Sequence, residues 1–170
     1  MTGVYPVFNN KFKIGTKGRA STDAEMALVA EMESFSVSID GNVEEWKPME
    51  QEGWTRRMVT GKALTIGLSG KRHIGDPGND YVADHAWGTG VTCESRFEWE
   101  MPSGAKLKFD CVVSVTNPGG GDSTNVSGLE FEVLSDGKPE YIAASAGTVP
   151  VDPVPVNPED QEPSEPEDAE

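Results

Sequence analysis

Residues 93–115 read CESRFEWEMPSGAKLKFDCVVSV, and this stretch predicts a β-hairpin. Apolar side chains occupy the odd-numbered positions on both sides of the segment Pro102-Ser103-Gly104. If both sets face one core, a two-residue loop is excluded, and a three-residue loop with Gly104 in the left-handed region is favoured. The apolar set consists of Cys93, Phe97, Trp99, Met101, Leu107, Phe109, Cys111, Val113 and Val115.

The opposite face of the hairpin supports the same register through charge. It pairs Glu100 with Lys106, Glu98 with Lys108, and Arg96 with Asp110. Opposite charges across two antiparallel strands contribute about 0.2 to 1 kcal/mol for each pair. The register also sets Cys93 across from Val113 and Cys111 across from Ser95, so a disulfide between the cysteines would need distortion. We interpret both cysteines as small hydrophobic core residues.

Alternation of period two predicts further strands. Residues 34–40 form a half-buried strand that Gly41-Asn42 ends, and residues 54–70 form a strand with small side chains on one face. Another strand follows the flexible glycine turn at 119–121, and Tyr141 and Ile142 are the last residues predicted to be ordered. The inward sets are Phe35, Val37 and Ile39; Leu64, Ile66 and Leu68; and Leu129, Phe131 and Val133.

Helix signals occur in two places. Asp76 suits a helix N-cap, Pro77 the first helical position and Asp80 the positive end of the helix dipole, and Gly88 follows as a stop. Tyr81, Val82, His85 and Ala86 would then share one face of a short amphipathic helix. Residues 22–33 also contain good helix formers, with a capping-box pattern from Thr22 to Glu25.

Charge and proline content divide the chain into a domain and a tail. The 170 residues hold 14 Lys and Arg against 29 Asp and Glu, a net charge of -15. Residues 150–170 carry eight acidic residues, six prolines and no base, which leaves 21 acids and 14 bases in residues 1–149. We predict a domain over 1–145 and a disordered, acidic, Pro-rich tail over 146–170. Within the domain, residues 1–20 are predicted as an extended arm and residues 43–54 as a long loop or edge ribbon.

Composition narrows the classes of function. The excess of acidic over basic residues argues against binding of nucleic acid through a basic surface. No stretch approaches the roughly 20 apolar residues that cross a bilayer, so no membrane partner is predicted. Two cysteines, and an N-terminus without an apolar run of signal-peptide length, indicate a reducing cytosol.

The sequence shows no pattern that predicts catalytic, metal or cofactor chemistry. His73 and His85 lack the partners of a zinc site, and the glycines at 119–121 lack the Gly-Lys-Ser/Thr that completes a phosphate loop. No nucleophile signature accompanies either histidine. We predict no enzyme activity, no cofactor and no metal. A small hydrolase would need a cleft that holds His85 against a carboxylate.

Large apolar residues stand out in the acidic segment 43–54. Trp46, Met49 and Trp54 lie among glutamates, and on a protruding ribbon such groups commonly enter a partner's pocket. Trp54 fits equally well as the beginning of the core strand 54–70.

Three segments carry a family resemblance through their order and spacing. They are ESFSVSIDGNVEEWKPMEQEGWTRRMVTGKALTIGLSGKR at 33–72, GDPGNDYVAD at 75–84 and GGGDSTNVSGLEFEVLSDGKP at 119–139. Together they resemble the major tail tube proteins of long-tailed, non-contractile bacteriophages, in particular siphoviruses of Gram-positive hosts. The resemblance covers roughly residues 4–142 and rests on the combination of Gly53-Trp54, Gly61-Lys62 and GDPGND at 75–80. The acidic tail has no counterpart in this pattern.

The resemblance implies a mainly β fold, a β-sandwich or barrel of two sheets with one short flanking helix. It implies self-assembly into hexameric rings that stack into a hollow tail tube, which encloses the tape measure protein and conducts DNA during ejection. The tail terminator and distal tail proteins would be further partners. Such a protein belongs to the virion and is assembled in the cytoplasm of the host bacterium. An acidic wall fits this role, because it repels phosphate over a Debye length of about 10 Å.

The resemblance also implies that a long loop and the N-terminal arm bridge successive rings. By position these are residues 43–54 and 1–20, and both would order on assembly. The candidate inter-subunit contacts are Val7, Phe8, Phe12, Trp46, Met49 and Trp54.

A second class of protein fits the same residues. A monomeric immunoglobulin-like adhesion or carbohydrate-binding module would also use short strands and exposed tryptophans. Particle size distinguishes the two, since a tube protein forms rings or rods and a module is a compact monomer.

Overall fold

A computed structural model describes residues 3–144, which form eight strands and one α-helix. The strands are β1 (Lys11–Gly15), β2 (Met26–Leu28), β3 (Met32–Trp46), β4 (Arg56–Lys71), β5 (Glu94–Glu100), β6 (Lys106–Asn117), β7 (Gly128–Ser135) and β8 (Glu140–Ile142). The helix α1 spans Pro77–Asp84, between β4 and β5. The prediction of a mainly β fold with one short helix is confirmed. The predicted tail, 146–170, lies outside the described residues.

The strands lie in one antiparallel sheet that folds over on itself. Their order is β2-β1-β5-β6-β7-β4-β3, with β8 beside the start of β6. Phe12 on β1 and Phe35 on β3 are far apart in this order, yet their ring centroids are 4.9 Å apart. The sandwich therefore has two layers of a single sheet, and the implied division into two separate sheets is wrong because β6 pairs with strands of both layers. We call these the β1 layer (β2, β1, β5 and the start of β6) and the β3 layer (β3, β4, β7 and the end of β6).

The core fills the space between the two layers. The predicted inward residues of β4 and β7 are buried, as are Phe97, Phe109 and Cys111 of the central hairpin. Val37 and Ile39 of β3 differ from the prediction, since both remain exposed. They lie on the inward face, but at an end of the β3 layer where a groove separates them from the opposite layer.

The hairpin of β5 and β6 has the predicted register. Trp99 pairs with Leu107 and Ser95 with Cys111, and Gly104 has a φ of +84°. Burial raises the pKa of the Cys111 thiol to about 12. The predicted pair of Cys93 with Val113 is not formed, because the chain is still in a 3₁₀ turn at Cys93 and strand pairing begins only at Glu94.

Two local predictions are wrong because strand pairing overrides them. Residues 22–33 do not form an α-helix. A short 3₁₀ turn at Asp23–Glu25 leads directly into β2, which pairs with β1. Similarly, Gly41-Asn42 does not end a strand, because β3 continues to Trp46 beside β4.

Residues 41–62, here called the ribbon, project beyond the sheet as a two-stranded hairpin. They project because β7 pairs with β4 only from Thr65 onward. Asn42 pairs with Gly61 but Val43 pairs with Val59, so Thr60 is one extra residue in β4. This β-bulge bends the ribbon relative to the body. The segment 43–54, predicted as a long loop or edge ribbon, comprises the end of β3 and the tip of the ribbon.

Glu98 is a nearly buried carboxylate, 4% exposed, on the outward face of β5. Lys13 lies 3.1 Å from its Oε1, Lys106 lies 3.4 Å from the same oxygen, and Lys108 lies 3.3 Å from its Oε2. Burial disfavours the charged form, but the three ammonium groups outweigh it and hold the pKa of Glu98 below its usual range. The predicted pair of Glu98 with Lys108 is therefore part of a cluster that joins β1, β5 and β6.

Replacing Glu98 with glutamine is expected to lower the free energy of unfolding at pH 7 by about 2 kcal/mol, because three ammonium groups lose their shared counter-ion. Glu100→Gln is the matched control and should cost less than about 1 kcal/mol, since its carboxylate is more exposed. Folding lowers the pKa of Glu98, so its stabilisation is complete above the ordinary value of 4.5 and is lost as the pH falls through the folded-state pKa. Urea denaturation at pH 7 and pH 3 measures both effects. A difference between wild type and E98Q that is unchanged at pH 3 would contradict this account.

Candidate assembly surfaces

β3 is the last strand of the sheet, and one of its edges is open along all 15 residues. Among residues 3–144, β3 pairs only with β4. The strand at the other end of the sheet, β2, has only three residues. An open edge presents a row of N–H and C=O groups that can pair with a strand of another chain. Within residues 3–144 the edge of β3 is therefore the longest surface for strand addition, and the ribbon part of β4 has a shorter open edge on the side away from β3.

The outward face of the β3 layer is smooth and acidic. Among the described residues, its unpaired charged groups are Asp40 on β3 and Glu130 and Glu132 on β7, and the β7 carboxylates lie opposite Ser69 and Gly67 of β4. At the end of β4, Lys71 lies on the same face and pairs with Glu33 at 3.5 Å. Uncharged outward positions are Ser34, Ser36 and Ser38 on β3, Ala63 and Thr65 on β4, Val112, Ser114 and Thr116 on β6, and Leu134 on β7. No Lys or Arg occupies an outward position within 34–40, 63–69 and 130–134. This face thus combines short side chains with negative charge that is not paired on the face itself.

The outward face of the β1 layer has a different character. Lys11 and Lys13 of β1 face Glu100 and Glu98 of β5, and Lys106 and Lys108 of β6 lie on the other side of the same glutamates. Acid and base alternate here, so the two outward faces of the subunit differ in net charge.

The contact residues predicted in the N-terminal arm fall into two environments. Val7 and Phe8 lie in a 3₁₀ turn, Val7–Asn9, and are exposed. Phe12 is only 7% exposed and packs against Phe35, so it is a core residue of the subunit, which contradicts its prediction as an inter-subunit contact. The prediction of an extended arm is likewise wrong for residues 11–15, because Phe12 and Ile14 point inward from a strand that pairs with β5.

The contact residues predicted in the ribbon all have exposed side chains. Met49 is 99% exposed at the tip, and Trp54 is 76% exposed just before β4 begins at Arg56. The alternative placement of Trp54 in the core strand is therefore wrong. Trp46 is partly covered by the Arg56 guanidinium, whose carbon lies 5.9 Å from the ring centroid. Three exposed apolar residues of the ribbon escaped the sequence analysis: Val43, Met58 and Val59.

The GDPGND segment positions α1 against both layers. The Asp76 carboxylate accepts the Asn79 N–H at 2.8 Å, which confirms the predicted N-cap, and Pro77 is the first helical residue. A Cβ added to Gly78 would lie 2.2 Å from the Leu28 carbonyl oxygen, so only glycine allows the helix to approach β2 this closely. The buried face of α1 contains Asn79, Val82 and Ala83. Of the predicted face, only Val82 is buried.

Asn79 is the most important residue that the sequence analysis missed. Its side chain is fully buried, and its Oδ1 accepts hydrogen bonds from the His73 N–H at 3.0 Å and from Arg72 Nη1 at 2.8 Å. Its Nδ2 donates to the carbonyl oxygens of Ala30 at 3.1 Å and Lys71 at 2.9 Å. Asn79 precedes Val82 by three residues and Ala83 by four, and this spacing places it on the same face of a helix as these two apolar residues.

Each histidine ring has one polar contact within residues 3–144. His85 Nδ1 lies 2.6 Å from the Tyr81 carbonyl oxygen, and His73 Nδ1 lies 3.9 Å from a carboxylate oxygen of Glu31. In the part of the chain that the structure describes, no three or more His, Cys, Asp or Glu side chains are grouped to hold a metal ion. Over the same residues, no helix has the length and apolar character needed to span a membrane.

These features define a mainly β fold, one antiparallel sheet folded into two layers with a single short helix. Solved chains that share this fold include two from gene transfer agent particles. One comes from the tail of an empty GTA particle refined with helical and C6 symmetry, with a TM-score of 0.67 and 14% identity. The other comes from the virion of a native gene transfer agent (GTA) particle, with a TM-score of 0.60 and 15% identity. Each match covers 82% of this chain and 100% of the solved chain. No family model matches the chain, and no curated protein matches its sequence.

Proposed function

We propose that this chain is a structural virion protein, the tail tube subunit of a siphovirus of Gram-positive hosts. Copies assemble as hexameric rings that stack into a hollow tube, which encloses the tape measure protein and conducts DNA during ejection. The shared fold with a chain from a C6-symmetric tail supports the hexamer. Assembly in the host cytoplasm, and contacts with the tail terminator and distal tail proteins, belong to the same proposal.

The open edge of β3 carries this proposal. An exposed edge of 15 residues would invite aggregation in a monomer. Pairing of β3 with a strand of a neighbouring copy around a closed ring removes that edge, because β3 then has a partner on each side. The β3 layers of successive copies thus form one continuous barrel.

The outward face of the β3 layer lines the lumen in this arrangement. Asp40, Glu130 and Glu132 repel the phosphates of passing DNA, and the short side chains of β3 and β4 give DNA few groups to bind. The charge-alternating face of the β1 layer then faces outward. The ribbon, with Met49 and Trp54 exposed, reaches the next ring, as do Val7 and Phe8.

Two proline variants test whether β3 joins neighbouring copies. Successive N–H groups point to opposite sides of a strand, so of Ser36 and Val37 one faces β4 and the other faces the open edge. Ser36→Pro and Val37→Pro therefore form a matched pair. The variant that loses a bond to β4 should melt at lower temperature. The other should keep nearly the wild-type melting temperature and lose polymerisation, since proline is tolerated at a free edge.

Light scattering and negative-stain micrographs of concentrated protein, with and without a tail tip to nucleate assembly, provide the readout. Wild type should form rings or rods. Wild-type protein that stays a compact monomer under both conditions would overturn the proposal and favour the monomeric binding module. Polymerisation by both proline variants would refute the role of the β3 edge.

Replacing Trp46 and Met49 together with serine is expected to block ring stacking, because the ribbon loses the large apolar groups that would fill a pocket of the next ring. Trp46→Phe with Met49→Leu keeps the apolar character and is the control. Electron micrographs should show isolated rings for the serine variant and tubes for the control. Normal tubes from the serine variant would show that these two residues do not anchor the contact.

A further inference from the structure

An apolar groove of about 670 Å³ opens where the ribbon leaves the body. Its walls come from both layers, with Val37, Ile39 and Leu64 on one side and Trp99, Leu107 and Pro139 on the other. Ile39 is 64% exposed although it points inward. Within residues 3–144, no segment covers these side chains.

Trp99 forms a fixed aromatic wall of this groove. Its Nε1–H donates to Asn10 Oδ1 at 2.8 Å, and its ring packs against those of Phe12 and Phe35. An immobilised aromatic face beside aliphatic side chains is the kind of surface on which proline-rich segments dock in the polyproline II conformation. The groove therefore has the chemistry of a polyproline-binding site.

The chain itself contains a segment of matching chemistry. Residues 149–156 read VPVDPVPV, with four valines, three prolines and a single charge at Asp152, and Glu159 and Asp160 follow shortly after. Lys62 and Lys138 line the groove. Neither lysine forms an ion pair with another residue of the described range, and no carboxylate lines the groove. The sign of the charge beside the groove thus complements the acidic residues around the Val-Pro segment.

The described chain ends close to the groove. A Cβ built on Gly104 would lie 3.5 Å from the Cβ of Ala144, and the Gly104 N–H donates to the carbonyl oxygen of Met101, which lines the groove. Five residues carry the chain from Ala144 to Val149, and an extended chain of that length reaches up to about 17 Å. The Val-Pro segment can therefore reach the groove of its own subunit.

We propose that residues 149–156 bind in this groove of their own subunit as a polyproline ligand, with the neighbouring acidic residues near Lys62 and Lys138. This departs from the predicted disorder of the tail for these eight residues. It concerns a single subunit and does not depend on the proposed function.

Disulfide trapping in the full chain tests this docking. An Ile39→Cys, Val154→Cys variant should form an intramolecular disulfide under mild oxidation at least ten-fold faster than a Ser36→Cys, Val154→Cys variant. Both partner cysteines lie on β3, but Ser36 points to the outward face. The native Cys93 and Cys111 are buried and remain in both variants. Equal rates in the two variants would overturn the proposal, and disulfide-linked dimers would assign the groove to a neighbouring copy instead.

A second measurement needs no cysteine variant. In the wild-type full chain, nuclear Overhauser contacts are expected between valine methyl groups of 149–156 and the Trp99 indole ring. They should disappear in a Val151→Asp, Val154→Asp variant, with the remaining spectrum preserved. Their absence in wild type would overturn the proposal.

Discussion

Replacing Asn79 with alanine is expected to lower the free energy of unfolding by about 3 to 5 kcal/mol. The substitution removes four side-chain hydrogen bonds in a fully buried position. The carbonyl oxygens of Ala30 and Lys71 lose their donor, and the His73 N–H loses its acceptor. Unsatisfied buried groups cost about 1 to 3 kcal/mol each, so the effect exceeds that of an ordinary surface change.

Asn42→Ala is the matched control for this prediction. The Asn42 amide donates to Thr60 Oγ1 at 2.9 Å, but in an exposed position where water can replace the bond. Urea denaturation should show a change below about 1 kcal/mol for N42A. A similar small change for N79A would mean that water enters the site and satisfies the freed groups. Asn79 would then not be the polar link between α1, β4 and the segment before β3.

Tubes assembled from a Glu130→Lys, Glu132→Lys variant are expected to retain at least ten-fold more nuclease-protected duplex DNA than wild-type tubes at low salt. Both residues face outward from the β3 layer, which we place at the lumen. Reversing two charges in each of six copies replaces repulsion with a ring of cations. Retention should fall steeply as salt rises, because binding through phosphates releases counter-ions.

An Asp84→Lys, Glu140→Lys variant changes the net charge equally and is the control. Asp84 ends α1, and Glu140 pairs with Lys108 on the side of the β1 layer. Its tubes can bind DNA only on the outside, so nuclease should digest that DNA. Protected DNA in the control, or no protected DNA in the lumen variant, would contradict the placement of the β3 layer at the lumen. The fold and the hexameric assembly are tested separately by the proline variants.

The β5–β6 hairpin was predictable because apolar residues alternate along both strands and the turn between them contains a glycine at the required position. Alternation fixed which face each residue occupies, and Gly104 with the opposite charges of Glu98 and Lys108 fixed the register. The N-cap of α1 was predictable for the same reason, since Asp76 and Pro77 act on their immediate neighbours. In both cases the deciding interactions lie within about 20 residues of each other.

Contacts between distant segments decided the elements that the sequence did not reveal. β1 has only two inward residues, Phe12 and Ile14, and becomes a strand because β5 lies beside it. Residues 26–28 have helix-forming side chains but pair with β1, so tertiary pairing overrides propensity. For the candidate surfaces, the exposure of Met49 followed from its acidic surroundings, whereas the burial of Phe12 depended on Phe97 and Trp99 of β5, a strand much later in the chain.

Because Thr60 is an extra residue in β4, the ribbon can change its orientation without a change in the stability of the body. It lies outside the part of β4 that packs in the core, so inserting or deleting a residue there would swing the ribbon to a new angle without disturbing buried side chains. Related chains can therefore change the direction in which the hairpin points while the packed interior stays the same. The direction of the ribbon can therefore change during evolution with little effect on the free energy of unfolding.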